Sequence, residues 1–175
     1  MIYLDFAKAF DTVPHRRLMA KLLGYGISGK VWECIDDLLT DRKQCVIVNG
    51  ETSGYEDVTS GISQGSVLGP LLVLSYINDL PDEVASLIKL FTDDTKLFTR
   101  IVTPQDCADL QKDLTALQDW SIKWLLHFNA VKCKVLRLGS GASPFQYSML
   151  TKDVLTGLWR NLSARGTWVL WSAIS

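Results

Sequence analysis

Apolar residues along the first half of the chain recur in two rhythms, one of strands and one of helices. Ile2-Tyr3-Leu4 form a short buried run that stops at Asp5, the pattern of a strand closed by a carboxylate. Thr12 and Pro14 then signal a helix start, because proline is tolerated in the first helical turn, where an N–H would have no partner. Leu18, Leu22 and Leu23 give that helix an apolar face until Gly24 and Gly26 end it. A second helix begins near Ser28, with Val31, Trp32, Ile35, Leu38 and Leu39 at helical spacing. Cys45-Val46-Ile47-Val48 reads as a strand, Asn49-Gly50 as a hairpin turn, and Tyr55 to Thr59 as the partner strand.

A glycine-rich turn over Ser60 to Gly65 leads into an apolar stretch from Val67 to Leu80. Pro70 belongs near the start of a helix there, since an interior proline is costly, and Pro81 closes it. Leu87 to Phe91 and Lys96 to Thr99 are strand-like runs around Thr92-Asp93-Asp94-Thr95, which predicts a tight hairpin with both aspartates at its tip. Thr103 and Pro104 open the longest helix, and Asp106 completes a box-like N-cap. Cys107, Leu110, Leu114, Leu117, Trp124 and Phe128 recur at three- and four-residue steps, a stripe that reads as core packing, not a cofactor box. Lys134 to Leu138 gives one more strand.

Short hairpin-linked strands mixed with long helices place the chain in the α+β class. Composition changes after Gly139-Ser140-Gly141, and three of the six tryptophans (Trp159, Trp168, Trp171) fall in the last seventeen residues. The expectation is a packed unit over residues 1–138 and a separate, poorly defined tail over 139–175.

An apolar content of 47% supports a sizeable core and excludes wholesale disorder. No run approaches about eighteen uncharged apolar residues, so no membrane-spanning helix is expected. Asp5 and Lys8 break the N-terminal apolar stretch and no basic leader precedes it, which argues against a signal peptide and for an intracellular protein. Cys34, Cys45, Cys107 and Cys133 are unevenly spaced, with no C-x-x-C pair and no histidine at ligand spacing, and read as buried free thiols. A net charge of −1 carries no overall signature of nucleic-acid binding. The basic clusters Arg16, Arg17 and Lys21, Arg42 and Lys43, and Lys132, Lys134 and Arg137 read first as solvated faces and second as phosphate contacts.

The Asp93-Asp94 pair is the most informative chemical feature. On its own it reads first as a polar turn, where aspartate is common. Adjacent carboxylates repel, however, and a divalent cation such as Mg²⁺ compensates them while keeping positions for water and phosphate oxygens. Asp5 shifts the balance, because a carboxylate ending a buried strand needs a reason. Strands 2–5 and 87–91 placed side by side would set Asp5 beside Asp93. Such a site suits two metal ions that clamp the attacking and leaving oxygens of a phosphoryl transfer, with no protein nucleophile. A nuclease would use similar carboxylates.

The motifs bring in a resemblance. Leu4-Asp5-Phe6-Ala7-Lys8-Ala9-Phe10-Asp11-Thr12-Val13-Pro14-His15 resembles motif A of non-LTR retrotransposon reverse transcriptases. Gly61-Ile62-Ser63-Gln64-Gly65-Ser66-Val67-Leu68-Gly69-Pro70, continuing to Tyr76-Ile77-Asn78-Asp79-Leu80, resembles motif B, and Phe91-Thr92-Asp93-Asp94-Thr95 the motif C hairpin. Trp120 to Leu138, with Phe128-Asn129 and Lys132-Cys133-Lys134, is similar to the region that follows in the jockey and chicken-repeat branches. The blocks come in the family's order over roughly residues 1–147.

The resemblance implies a polymerase palm-like antiparallel sheet packed with helices, truncated so that fingers and a full thumb are absent. It implies an RNA-directed DNA polymerase of a mobile element, acting on an RNA template, a DNA primer and deoxynucleoside triphosphates. Two Mg²⁺ ions, or Mn²⁺ in their place, would be held by Asp5, Asp93 and Asp94. Phe10 would close under the sugar of the incoming nucleotide and leave no room for a 2′-hydroxyl, although alone it reads as a core aromatic. Gln64 and Gly65 would let template and nucleotide approach the backbone. Lys8 and Asp11 match as structural residues. No membrane partner is implied, and the location would be the nucleus if the parent element is active.

Three departures qualify the match. Ser63 stands where the family has proline, Thr92 where it has alanine, and Met1 falls at the motif A strand itself. The alternative reading is therefore a catalytically dead retroelement remnant, or a nucleic-acid-binding fragment without turnover. Motif B argues against a nuclease, which has no need of the Gln-Gly loop. The tail is expected to follow a frameshift near residues 150–158, since Leu158-Trp159-Arg160-Asn161 encoded CTG TGG AGG AAC gives Val-Glu-Glu two bases on, resembling the family's continuation.

Overall fold

The computed structural model describes residues 1–63, 65–91, 94–137, 145–150 and 159–162. Strand β1 (Ile2–Asp5) leads into the short helix α1 (Ala9–Thr12), then α2 (His15–Gly24) and α3 (Lys30–Leu39). Four two-residue strands follow: β2 (Lys43–Gln44), β3 (Ile47–Val48), β4 (Glu51–Thr52) and β5 (Glu56–Asp57). Next come α4 (Leu68–Ile77), a 3-10 turn (Leu80–Glu83), β6 (Leu87–Phe91), β7 (Asp94–Phe98) and α5 (Pro104–Trp124). β8 (Lys134–Val135), β9 (Tyr147–Leu150) and β10 (Trp159–Leu162) complete the order.

The main sheet is antiparallel, with strand order β6-β7-β1-β8. Side chains alternate across it, so its register sorts them onto two faces. Ile2 lies opposite Leu97 and Val135, and Leu4 opposite Thr95, and all five are buried on the inner face. The outer face carries Tyr3, Lys89 and Lys96 in one row and Asp5, Asp94 and Phe91 in the next. This is the expected α+β arrangement. One neighbour differs from expectation: β7, not β6, pairs with β1, so the cross-strand partner of Asp5 is Asp94 rather than Asp93. The hairpin brings its second strand back along β1: β7 buries Leu97 and Thr95 fully, whereas the corresponding inward residues of the edge strand β6, Ile88 and Leu90, are only half-buried.

The core is one cluster that joins this sheet to α2, α3, α4 and α5. Phe6 stacks on Phe128 with ring centroids 4.5 Å apart, and Trp120 lies 6.3 Å from Phe6. At its centre is a buried cation. The Lys21 ammonium donates to the Tyr76 carbonyl at 2.6 Å and to Asp79 at 2.5 Å. It also lies 4.9, 4.7 and 3.9 Å from the ring centroids of Tyr76, Trp120 and Trp124. Asp79 accepts a further bond from the Trp120 indole at 3.1 Å. Burial pushes the Lys21 pKa down, and the Asp79 hydrogen bond opposes that shift. Lys21 thus belongs to the interior, not to a solvated basic cluster.

Local signals explain most boundaries. The Thr103 side chain accepts from the Asp106 N–H and Asp106 answers from its carboxylate, forming the expected capping box of α5. Pro70 is the third residue of α4, where its missing donor costs little. Asn49 and Gly50 have φ of 52° and 89°, the pair of positive values that a two-residue hairpin turn requires. Its partner strand is Glu51–Thr52, however, while Glu56–Asp57 pairs with Lys43–Gln44, so the single long hairpin expected here is two nested pairs. Val46, Ile47 and Val48 are exposed.

Two further expectations change. Tyr147 and Met149 are buried, and the Gln111 side chain bonds both the N–H and the carbonyl of Ser148, at 2.9 and 3.1 Å. The packed unit therefore runs past residue 138; most of the remaining tail lies outside the described residues. Of the four thiols, Cys107 and Cys133 are buried, but Cys34 is exposed and Cys45 only half-buried. Cys34 sits on the polar side of α3, whose buried face uses Ile35 and Leu39. Burial pushes the Cys133 thiol up to about 11. An alkylating reagent near neutral pH is expected to label Cys34 first, and Cys107 and Cys133 only after denaturation. Peptide mass mapping would check this; rapid native labelling of Cys133 would contradict the packing. Among the described residues, no helix is long and apolar enough to cross a membrane.

Candidate active site

β1 delivers Asp5 to the end of the sheet. Its side chain is 20% exposed, and Oδ1 is buried without a hydrogen bond. Lys132 Nζ lies 3.3 Å from Oδ1 and 3.4 Å from Oδ2. Asp94, exposed, stands opposite Asp5 across the β1–β7 ladder. Directly opposed side chains share a face, and like charges in that position repel, by a few tenths of a kcal/mol or more (~0.2–1). A strand end with two carboxylates, offset only by the exposed Lys132, suits a hard divalent cation, and a buried carboxylate oxygen that accepts no hydrogen bond is what such an ion would satisfy. Asp93 and Gln64, expected in the same site, lie outside the described residues. Within those residues no group of three His, Cys, Asp or Glu gathers closely enough to hold a metal.

The segment after Asp5 turns sharply. Lys8 adopts left-handed φ and ψ of 54° and 51° and starts α1, which carries Phe10 half-buried against the core. The loop of residues 59–63 is then laced to this turn. Ile62 N–H donates to the Phe10 carbonyl at 2.6 Å, and Gly61 N–H to Val13 at 2.9 Å. His15 Nε2 lies 2.7 Å from the Gly61 carbonyl, and the Ser60 hydroxyl donates to the Asp11 carbonyl at 3.2 Å. Phe10 is therefore brought beside Ser63, and both line a cavity of about 450 Å³ with Asp11, Arg42 and Lys43. Gly65, exposed with φ of +84°, has open space where a Cβ would stand. A larger cavity of about 790 Å³ lies between α2 and α3 and is lined by none of the predicted site residues.

Gly61 shows why this lacing needs glycine. Its φ is +92°, and an added Cβ would stand 3.0 Å from the Asp11 carbonyl oxygen. Gly61→Ala is expected to lower stability by ~1–3 kcal/mol, read as a lower denaturant midpoint. An unchanged midpoint would mean that the two loops do not pack this closely.

Sequence reasoning missed two residues here. In the sequence His15 is only the end of a motif, yet it clasps the second loop. Lys132 was read as a member of a surface cluster, yet it faces Asp5 across 127 residues of chain. No local pattern signals either contact.

A helix-backed antiparallel sheet with opposed carboxylates at one strand end is the palm-like form of the α+β class. The comparisons with known proteins give its family: the chain belongs to the reverse transcriptases, since the profile described as "Reverse transcriptase (RNA-dependent DNA polymerase)" matches residues 1–159. It is 33% identical over 140 residues to "RNA-directed DNA polymerase from mobile element jockey" of Drosophila funebris, and 32% identical over 140 residues to the protein of that name from Drosophila melanogaster. It is also 30% identical over 137 residues to "Probable RNA-directed DNA polymerase from transposon X-element" of Drosophila melanogaster. Each match covers 75% of this chain and 15% of the relative, so the chain spans a small part of their length.

Proposed function

We propose that this chain carries the palm portion of an RNA-directed DNA polymerase of a non-LTR mobile element. The single observation behind the reading is the buried Oδ1 of Asp5, which accepts no hydrogen bond and has only the Lys132 ammonium beside it, with Asp94 opposite, in a chain of the reverse transcriptase family. Asp5, Asp93 and Asp94 are the proposed ligands of two Mg²⁺ ions, with Mn²⁺ as a substitute. When bound, such ions neutralise the charge of a triphosphate and favour loss of the proton from an attacking hydroxyl.

The protein's own part is positioning. Asp5 is fixed by its place in the ladder and by the bond from Asn129 N–H to its carbonyl, at 2.7 Å. Phe10, half-buried against the core and bonded through its carbonyl to Ile62 N–H, closes the floor beneath an incoming deoxynucleotide and excludes a 2′-hydroxyl by volume. Gln64 and Gly65 are the proposed contacts of template and nucleotide. Arg42 and Lys43 lie on the wall of that cavity with Asp11 and Asp57, and Lys43 pairs with Asp57 at 3.6 Å, so Arg42 is the proposed phosphate contact there. The proposed partners are an RNA template, a DNA primer and deoxynucleoside triphosphates.

Primer extension on an RNA template tests the reading, with wild type beside Asp93→Ala. Mg²⁺-dependent synthesis that the substitution abolishes supports it. No extension from well-folded protein carrying every motif would favour a remnant without turnover.

A further inference from the structure

Lys132 is the cation nearest the proposed metal centre among the described residues, and its position is not left to chance. The turn that carries it is built on Asp5 itself. Asn129 N–H donates to the Asp5 carbonyl at 2.7 Å, and the Asn129 carbonyl accepts from Lys132 N–H at 2.9 Å and Cys133 N–H at 3.1 Å. The Asn129 side chain accepts from Val131 N–H at 3.2 Å, closing the turn. On either side, Ala7 N–H donates to the His127 carbonyl at 2.8 Å, and Phe6 and Phe128 form a bridge with stacked rings. Buried Cys133 anchors the far end. The backbone of the Lys132 turn and the Asp5 carboxylate are thus parts of one rigid unit.

The ammonium sits within 3.3–3.4 Å of both Asp5 oxygens, including the buried Oδ1 that has no hydrogen bond. That is the face a divalent cation would use. We propose that Lys132 is the counter-ion of Asp5 in the metal-free protein and competes with the divalent cation for the same carboxylate. The side chain is 63% exposed, so it can swing out on its flexible stem while its turn stays in place. Its role is to keep a partly buried carboxylate paired against Asp94 until a metal arrives. Metal binding then releases a lysine ammonium at the edge of the site, where anionic substrate enters.

This inference rests on the reading of Asp5 as a metal ligand, and the experiment separates the two. Mn²⁺ binding is measured by electron paramagnetic resonance and calorimetry on the whole chain, with melting temperature recorded with and without the ion. Lys132→Ala is expected to bind Mn²⁺ about 1.5- to fivefold more tightly than wild type, the range for removing a competing exposed ion pair. Lys132→Arg, which keeps the charge, should return the affinity to near the wild-type value. In an Asp5→Asn background, Lys132→Ala should have no effect. Equal or weaker Mn²⁺ binding by folded Lys132→Ala, beside a wild type that binds, would overturn the counter-ion role and leave the metal reading standing. Absence of Mn²⁺ binding in both would overturn the metal reading and the inference with it. Lys132→Gln serves as a second neutral variant if alanine perturbs the turn.

Discussion

On the proposed polymerase reading, Asp5→Asn is expected to reduce Mg²⁺-dependent primer extension by on the order of 10²- to 10³-fold, the scale seen when one preorganised group of an electrostatic site is removed. The substitution keeps shape and removes one negative charge. Nothing in the ladder depends on that charge: β1 is held by backbone pairing with β7 and β8, and by Ile2 and Leu4 in the core. Repulsion across the Asp5–Asp94 pair also falls, which offsets the lost ion pair to exposed Lys132, itself worth at most about 1 kcal/mol. The melting temperature should therefore stay level or rise while extension is lost, measured by thermal denaturation beside the extension assay. Loss of both together would place Asp5 in the fold rather than in the chemistry. Asp94→Asn, at an exposed position, should also leave stability unimpaired.

Asp79→Ala should have the opposite character, with a cost of ~3–5 kcal/mol in stability. The carboxylate is the counter-charge of an ammonium enclosed by three aromatic rings, and it also satisfies the Trp120 indole. Removing it strands both donors at the junction of α2, α4 and α5. The defect should depend on pH with a definite sign. Without Asp79, burial depresses the folded-state pKa of Lys21 further below its ordinary value. The unfolded chain then binds more protons than the folded one over the window between those two values. The loss relative to wild type is full below the depressed pKa and shrinks as pH rises through it. Denaturant titrations of both proteins from neutral to alkaline pH would check this. A pH-independent difference would mean that Lys21 stays charged without its partner. Lys21→Met with Asp79→Leu should recover much of the stability, because a buried ion pair is often replaceable by packing.

Local chemistry made many elements legible. The capping box at Thr103 and Asp106, the Asn49-Gly50 turn, Pro14 and Pro70 at helix starts, and the stripe from Cys107 to Leu117 all act within a few residues of chain. Each appears where such rules place it. The two-residue strands between α3 and the glycine-rich loop depart from their sequence pattern for a related reason. A run such as Cys45 to Val48 has strand propensity, but only pairing decides where a strand begins, and here the turn at Asn49 pairs just two residues on each side.

The opening strand and its carboxylate show where sequence stops and tertiary structure takes over. The sequence by itself determined that Ile2 to Asp5 is a strand, that a hairpin follows at residues 87–98, and that the motifs are those of a reverse transcriptase, because periodicity and motif spacing are written along one chain. It could not determine which hairpin strand lies beside β1. Both carry alternating apolar residues, and the choice is made by which face fills the core. Only the tertiary structure paired Asp5 with Asp94, brought Lys132 to Asp5 across 127 residues, enclosed Lys21 in aromatic rings, and drew Tyr147 and Met149 into the core. These are contacts between distant segments, and their energies depend on burial and mutual distance, which no local pattern encodes.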